Sequence, residues 1–159
     1  MSDLEELRRR FQPKHISTLF VGESPPKSGK FFYERDSLLY RRMKEAFGGT
    51  ENFREDFMAK GFFLDDLVQE PINKKNKKER DARRREGVSS LAQRMRGYQP
   101  QAVVVVMCAI EPMVIDAIRE SGLGHLKPHM VPFPRAEHQE HFKKAMAEII
   151  PKLPGLAAS

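Results

Sequence analysis

Leu19-Phe20-Val21-Gly22-Glu23-Ser24-Pro25-Pro26, followed closely by Gly29-Lys30-Phe31-Phe32-Tyr33, is the stretch from which the fold is read. An apolar run that ends at a glycine and a carboxylate and then breaks at two prolines has the pattern of a buried strand. Such a strand stops abruptly and hands the chain to a surface loop. Glu23 then stands at the strand end, and in an open α/β sheet ligands bind at the loops that follow the carboxyl ends of the strands. The competing reading is that Gly22 and the prolines only shape a turn and Glu23 is merely solvated.

Working outward, Ile16 to Val21 forms the first strand. Before it, Ser2-Asp3-Leu4-Glu5 has the spacing of a capping box, and Leu4, Leu7 and Phe11 share one helical face until Pro13 ends the pattern. After it, Leu38, Leu39, Met43 and Phe47 lie at near-helical spacing and stop at Gly48-Gly49. Thr50 can cap a further helix through Phe53, Phe57 and Met58, ended by Gly61.

Phe62 to Val68 is a short apolar strand that carries Asp65-Asp66. A buried strand interior does not tolerate unpaired carboxylates, so Asp65 is expected at the carboxyl end, facing the same rim as Glu23. Val88, Leu91, Ala92 and Met95 continue a helix to Gly97, and Ala102 to Met107, with four consecutive valines, belongs in the sheet centre. Glu111-Pro112 opens a helix closed by Gly122, with proline at a favoured first-turn position.

His129-Met130-Val131 is a last short strand, followed by the stiff loop Pro132-Phe133-Pro134-Arg135. The final helix carries His138 and His141 and an apolar face of Phe142, Ala145, Met146, Ile149 and Ile150, with a frayed tail expected from Pro154 to Ser159. Strands separated by helices of these lengths predict parallel βαβ units. The fold is therefore α/β, in three layers, as one domain over residues 1–159.

Composition limits the functions. A single cysteine, Cys108, allows neither a disulfide framework nor a cysteine-ligated cluster within one chain. The first ten residues are charged and no run approaches the length of a membrane span, so the expectation is a soluble, cytoplasmic protein with no membrane partner. A formal net charge of +6 draws the chain towards polyanions, of which nucleic acid is the commonest. The charge is concentrated between Lys74 and Glu86, which holds eight basic residues in thirteen, Lys77, Lys78, Arg83 and Arg84 among them. This run is either a solvated helix face or a segment that contacts phosphates. His138 and His141 lack a third ligand of suitable spacing, so no metal and no other cofactor is expected.

Three segments on the predicted rim line up, in order, with the motifs of one family. Gly22-Glu23-Ser24-Pro25-Pro26 with Ser28-Gly29-Lys30-Phe31-Phe32 resembles the first motif of the uracil-DNA glycosylase superfamily, closest to its Gly-Glu-Ala-Pro-Gly version. Phe62-Phe63-Leu64-Asp65, with Pro71 six residues on and a basic segment beyond, is similar to the strand that carries the family's base-reading Asn. Pro100 to Cys108 is similar to the central strand, and Val131-Pro132-Phe133-Pro134-Arg135 to the closing His-Pro-Ser-Pro-Arg loop.

The resemblance implies a three-layer α/β/α sandwich around a four-stranded parallel sheet. It also implies an enzyme that turns a nucleotide out of the duplex and cuts its N-glycosidic bond, because the target atoms are inaccessible inside stacked DNA. On that likeness Glu23 would orient or activate water and stabilise charge on the sugar, and Gly22 would belong to the base-binding surface with Phe32 and Asp65. Phe32 would stack on the base, and Asp65 would read its edge. Pro132, Phe133, Pro134 and Arg135 would press into or beside the minor groove and hold phosphates. The implied partner is DNA, single- or double-stranded, bound by a monomer.

The sequence departs from the family at two positions. The closing motif's His falls on Val131, which has no hydrogen to donate, and one missing anion-stabilising donor is typically worth about a hundredfold to a thousandfold. Asp65 replaces an amide, and an ionised carboxylate only accepts hydrogen bonds, so uracil is not the expected base. Two further readings stay open: a non-catalytic nucleic-acid-binding module, and an α/β enzyme acting on free nucleotides or nucleobases.

Overall fold

The computed structural model of the chain describes residues 3–154. The Ser2 end of the capping box and the tail beyond Pro154 lie outside the described residues. In chain order the elements are α1 (Asp3–Arg10), β1 (Thr18–Gly22), α2 (Leu38–Ala46), α3 (Phe53–Ala59), β2 (Phe62–Asp66), α4 (Lys77–Tyr98), β3 (Ala102–Val105), α5 (Glu111–Glu120), β4 (His129–Met130) and α6 (Gln139–Ile149). The four strands form one parallel sheet in the order β2-β1-β3-β4, the α/β sandwich expected from the alternation of apolar runs.

Register fixes what each face of the sheet carries. Thr18 pairs with Phe62 and Gly22 with Asp66 across β1 and β2, and side chains alternate between faces along each strand. Phe20 and Phe62 point to one face, where they pack with Phe47 after α2 and Phe57 of α3. Phe63 points to the other, edge-on to Tyr98 of α4. Helices therefore cover both faces, and the valines of β3, with Val106, are shut in between them at 1 % exposure or less.

β2 is an edge strand, and its unpaired backbone is closed by a side chain. The Tyr33 hydroxyl donates to the Leu64 carbonyl at 2.9 Å and accepts from the Leu64 N–H at 2.7 Å, so an edge that would otherwise invite another strand is capped from within. Burial pushes the Tyr33 phenol well above its ordinary value, which keeps it a donor throughout the physiological range.

The local boundaries differ from expectation where tertiary contacts compete. The basic run and the Val88–Met95 pattern are one 22-residue helix, capped at its start by Asn76, whose side chain accepts from the Glu79 N–H at 2.9 Å. It passes through Gly97 and ends at Gln99 in the left-handed conformation. Gly87, in the middle of α4, sits against the Leu67 backbone, where a Cβ would come within 2.7 Å of the carbonyl oxygen. A glycine there lets the helix approach the end of β2 closely. Thr50 does not cap α3; its hydroxyl bonds Asp56 at 3.0 Å, and Asn52 takes the cap position. No helix among the described residues is long and apolar enough to cross a membrane.

Candidate functional site

Pairing continues past each strand end and so sets the level of the loops. The Leu67 and Val68 N–H groups donate to Gly22 and Glu23, Val106 donates to Val21, and Val131 donates to Val105. The loops after all four strands thus leave from one rim. There they enclose a cavity of about 330 Å³, walled by Phe31, Phe32, Leu38, Leu39, Leu64, Met107 and Phe133. Its polar groups include Glu23, Asp66, Lys30, Arg80 and Arg135. A mostly apolar slot with a few converging charges is the usual form of a small-ligand site, and the volume falls within the usual range.

Glu23 is nearly buried, its side chain 5 % exposed, and two guanidiniums from successive turns of α4 hold it. Arg80 donates through Nε to Oε2 at 2.7 Å and through Nη2 to Oε1 at 2.6 Å; Arg84 donates through Nε to Oε2 at 2.7 Å. Residues four apart lie on one helix face, which is why both arrive together. The Glu23 bond raises Arg80 above its ordinary pKa. Oε1 carries the single Arg80 bond, so it keeps capacity to accept from a water or a ligand.

Asp65 does not face this cavity. As the residue before Asp66 on β2, it points to the opposite face of the sheet, where it is fully buried. Arg94 and Tyr98 of α4 both donate to its Oδ2 at 2.7 Å, Gln69 donates to Oδ1 at 3.2 Å, and Arg8 of α1 stands 3.5 Å away. Burial alone would raise its pKa, but Arg94, Arg8 and Tyr98 outweigh it and hold the carboxyl below its ordinary value. The base-reading position expected at Asp65 is thus occupied by an internal ionic anchor between β2, α1 and α4. The carboxylate that does line the cavity is its neighbour Asp66.

Asp66 is 4 % exposed and accepts from Arg8 Nη2 at 3.2 Å. Burial raises its pKa from 3.8 to about 6, against the pull of Arg8. The sign of the consequence is set by linkage: a carboxyl with a raised folded-state pKa adds stability below the unfolded value and loses it as pH climbs through about 6. Wild-type stability is expected to fall between pH 4 and 6.5 by up to roughly 3 kcal/mol on this account. Asp66→Asn should flatten that segment of a urea-denaturation series across pH, and an unflattened series would show that other groups govern it.

The remaining candidates divide. Gly22 lines the cavity and has a steric reason to be glycine, since a Cβ there would stand 2.8 Å from Asp66 Oδ1. Phe32 lines the cavity while packed edge-on against Tyr33 and Tyr40, and Phe31, not singled out from the sequence, lines it too. Phe133 and Arg135 reach the cavity; Pro132 and Pro134 stiffen the loop without lining it. Val131 is fully buried, with its backbone continuing the β3 pairing, so it belongs to the core.

In the basic run, Lys77 and Lys78 are exposed, Arg83 pairs with Glu70 and Glu86, and Arg84 turns inward to Glu23. His138 and His141 stack at 6.2 Å, and among the described residues no group of three or more His, Cys, Asp or Glu side chains is placed to hold a metal. Fold and cavity together define the class: a parallel α/β protein with a charged, aromatic-walled pocket at its carboxyl rim. No protein-family model matches the chain, and no curated protein matches it either.

Proposed function

We propose that the chain is a uracil-DNA glycosylase-like DNA-binding protein. Its rim cavity receives a damaged or deaminated base turned out of the stack, and Glu23 orients the water that cuts the N-glycosidic bond. The observation that carries this reading is convergence: Glu23 and the Phe31-Phe32 pair, both in the stretch after β1, meet Phe133 and Arg135 from after β4, near the other end of the chain, in one pocket. Aromatic side chains suit a planar base, and Arg135 and Lys30 at the same pocket suit the backbone phosphates that flank it. A single specific observation favours a second reading, a module that binds without reacting. The Glu23 carboxylate is already engaged by Arg80 and Arg84, which occupy three of its accepting positions.

The test is incubation with oligonucleotides bearing uracil, hypoxanthine, xanthine or an alkylated base, followed by alkali to reveal abasic sites. Cleavage lost in Glu23→Gln supports the enzyme. Salt-sensitive binding without cleavage supports the module, and absence of both leaves free nucleotides as the class to examine. The exposed pair Lys77 and Lys78 gives a second expectation. Changing both to Ala should lower the slope of log affinity against log salt by about 0.9 for each phosphate that the lysines neutralise. An unchanged slope assigns the run to solvent.

A further inference from the structure

Asp66 was not singled out from the sequence, yet it is the one carboxylate of β2 that lines the cavity. Its two oxygens have different surroundings. Oδ2 is taken by Arg8, whose guanidinium also lies over the Phe31 ring at 5.1 Å and is itself buried. Oδ1 lies over Gly22, in the space that a Cβ would close. Arg8 therefore holds one oxygen of the carboxylate, the bare Gly22 leaves room for the other, and Leu64, Phe31 and Phe32 line the same cavity.

We infer that Asp66, positioned by Arg8, determines the specificity of the cavity by accepting a hydrogen bond from an exocyclic amine on a planar heterocycle. The inference rests on reading the cavity as a base pocket and names the feature of the base that is chosen. An ionised carboxylate has no proton to offer a carbonyl, and a buried acceptor left without a donor is costly, so a ring lacking the amine is disfavoured. Among damaged bases the choice then falls on those that keep the amine, such as an alkylated adenine or cytosine, and not on uracil, hypoxanthine or xanthine. The charged and titratable groups that act with Asp66 are Arg8 on α1, Asp65 on its own strand, Arg94 on α4 and Tyr33, while Glu23, Lys30, Arg80 and Arg135 line the same cavity. Burial among them brings its titration to about pH 6, so the preference is present at pH 7.5 and fades in weak acid as the acceptor becomes protonated.

The experiment compares free nucleosides on the intact chain by NMR titration: adenosine against purine riboside, and cytidine against pyrimidin-2-one riboside. Each pair differs only by the amine. At pH 7.5 the amine-bearing member should bind about tenfold tighter or more, and the advantage should shrink several-fold at pH 5. It should also vanish in Asp66→Ala. The wild-type pH comparison needs no variant, so it stands if Asp66→Ala does not fold. Equal affinities at pH 7.5, an advantage unchanged at pH 5, or no binding of either member overturns the inference. Discrimination among nucleosides with no affinity for oligonucleotides would sink the DNA reading alone, whereas oligonucleotide binding without discrimination would sink the role of Asp66 alone.

Discussion

Asp65→Ala is expected to cost about 3–5 kcal/mol of folding stability, the usual penalty for breaking a buried ion pair by removing one partner. The carboxylate is wholly buried and gathers Arg94, Tyr98, Gln69 and Arg8 from two helices and a loop. Without it, Arg8 keeps Asp66 and Glu5, and Arg94 keeps the Asp66 and Leu67 carbonyls, but each holds a positive charge in a site built for balance. Against a total of roughly 5–15 kcal/mol for a domain, that loss is severe. Guanidinium denaturation measures it directly. A loss under about 1 kcal/mol, accompanied by altered ligand preference, would instead return Asp65 to the base-reading role that the family resemblance implied.

Glu23→Gln is expected to lower the rate of base release by roughly a hundredfold to ten-thousandfold, the range for removal of a general base. DNA affinity should stay the same or rise, because the change takes a negative charge away from a cavity that holds Arg80, Lys30 and Arg135. Single-turnover assays separate the two quantities. The variant also weakens the tie between the β1 loop and α4, so its melting curve must be recorded beside its rate. A folded variant with an unchanged rate would make Glu23 a structural clasp for α4 and nothing more.

The strand ends were legible in the sequence because an apolar run closed by Gly22 and two prolines leaves few alternatives. The side of β2 on which Asp65 falls was not. Two adjacent acids point to opposite faces, and a one-residue difference in register exchanges their roles. The helix of α4 was legible through Val88, Leu91, Ala92 and Met95, but the inward turn of its arginines was not, for a related reason. Beside the apolar Leu91, Ala92 and Met95, its inward face carries Arg80, Arg84, Arg94 and Tyr98, so the basic run at its start resembled a solvated stretch.

A signal was nonetheless present. Positions 80, 84, 87, 91, 94 and 98 follow the spacing of one helical stripe, and carboxylates at the ends of β1 and β2 require buried partners. Arg8, in a short helix whose only visible pattern is its leucines, had no such spacing to expose it. Only the packing of α1 against the Phe32–Glu34 turn brings it to the acids.

The most direct measurement of whether a base enters the rim cavity is photocrosslinking. An oligonucleotide carrying one 5-iodopyrimidine is bound, irradiated, and the modified peptide mapped. Adducts on the segments holding Phe31, Phe32 or Phe133 are the expected result. Adducts confined to Lys74–Lys78 would place the nucleic acid elsewhere and contradict it.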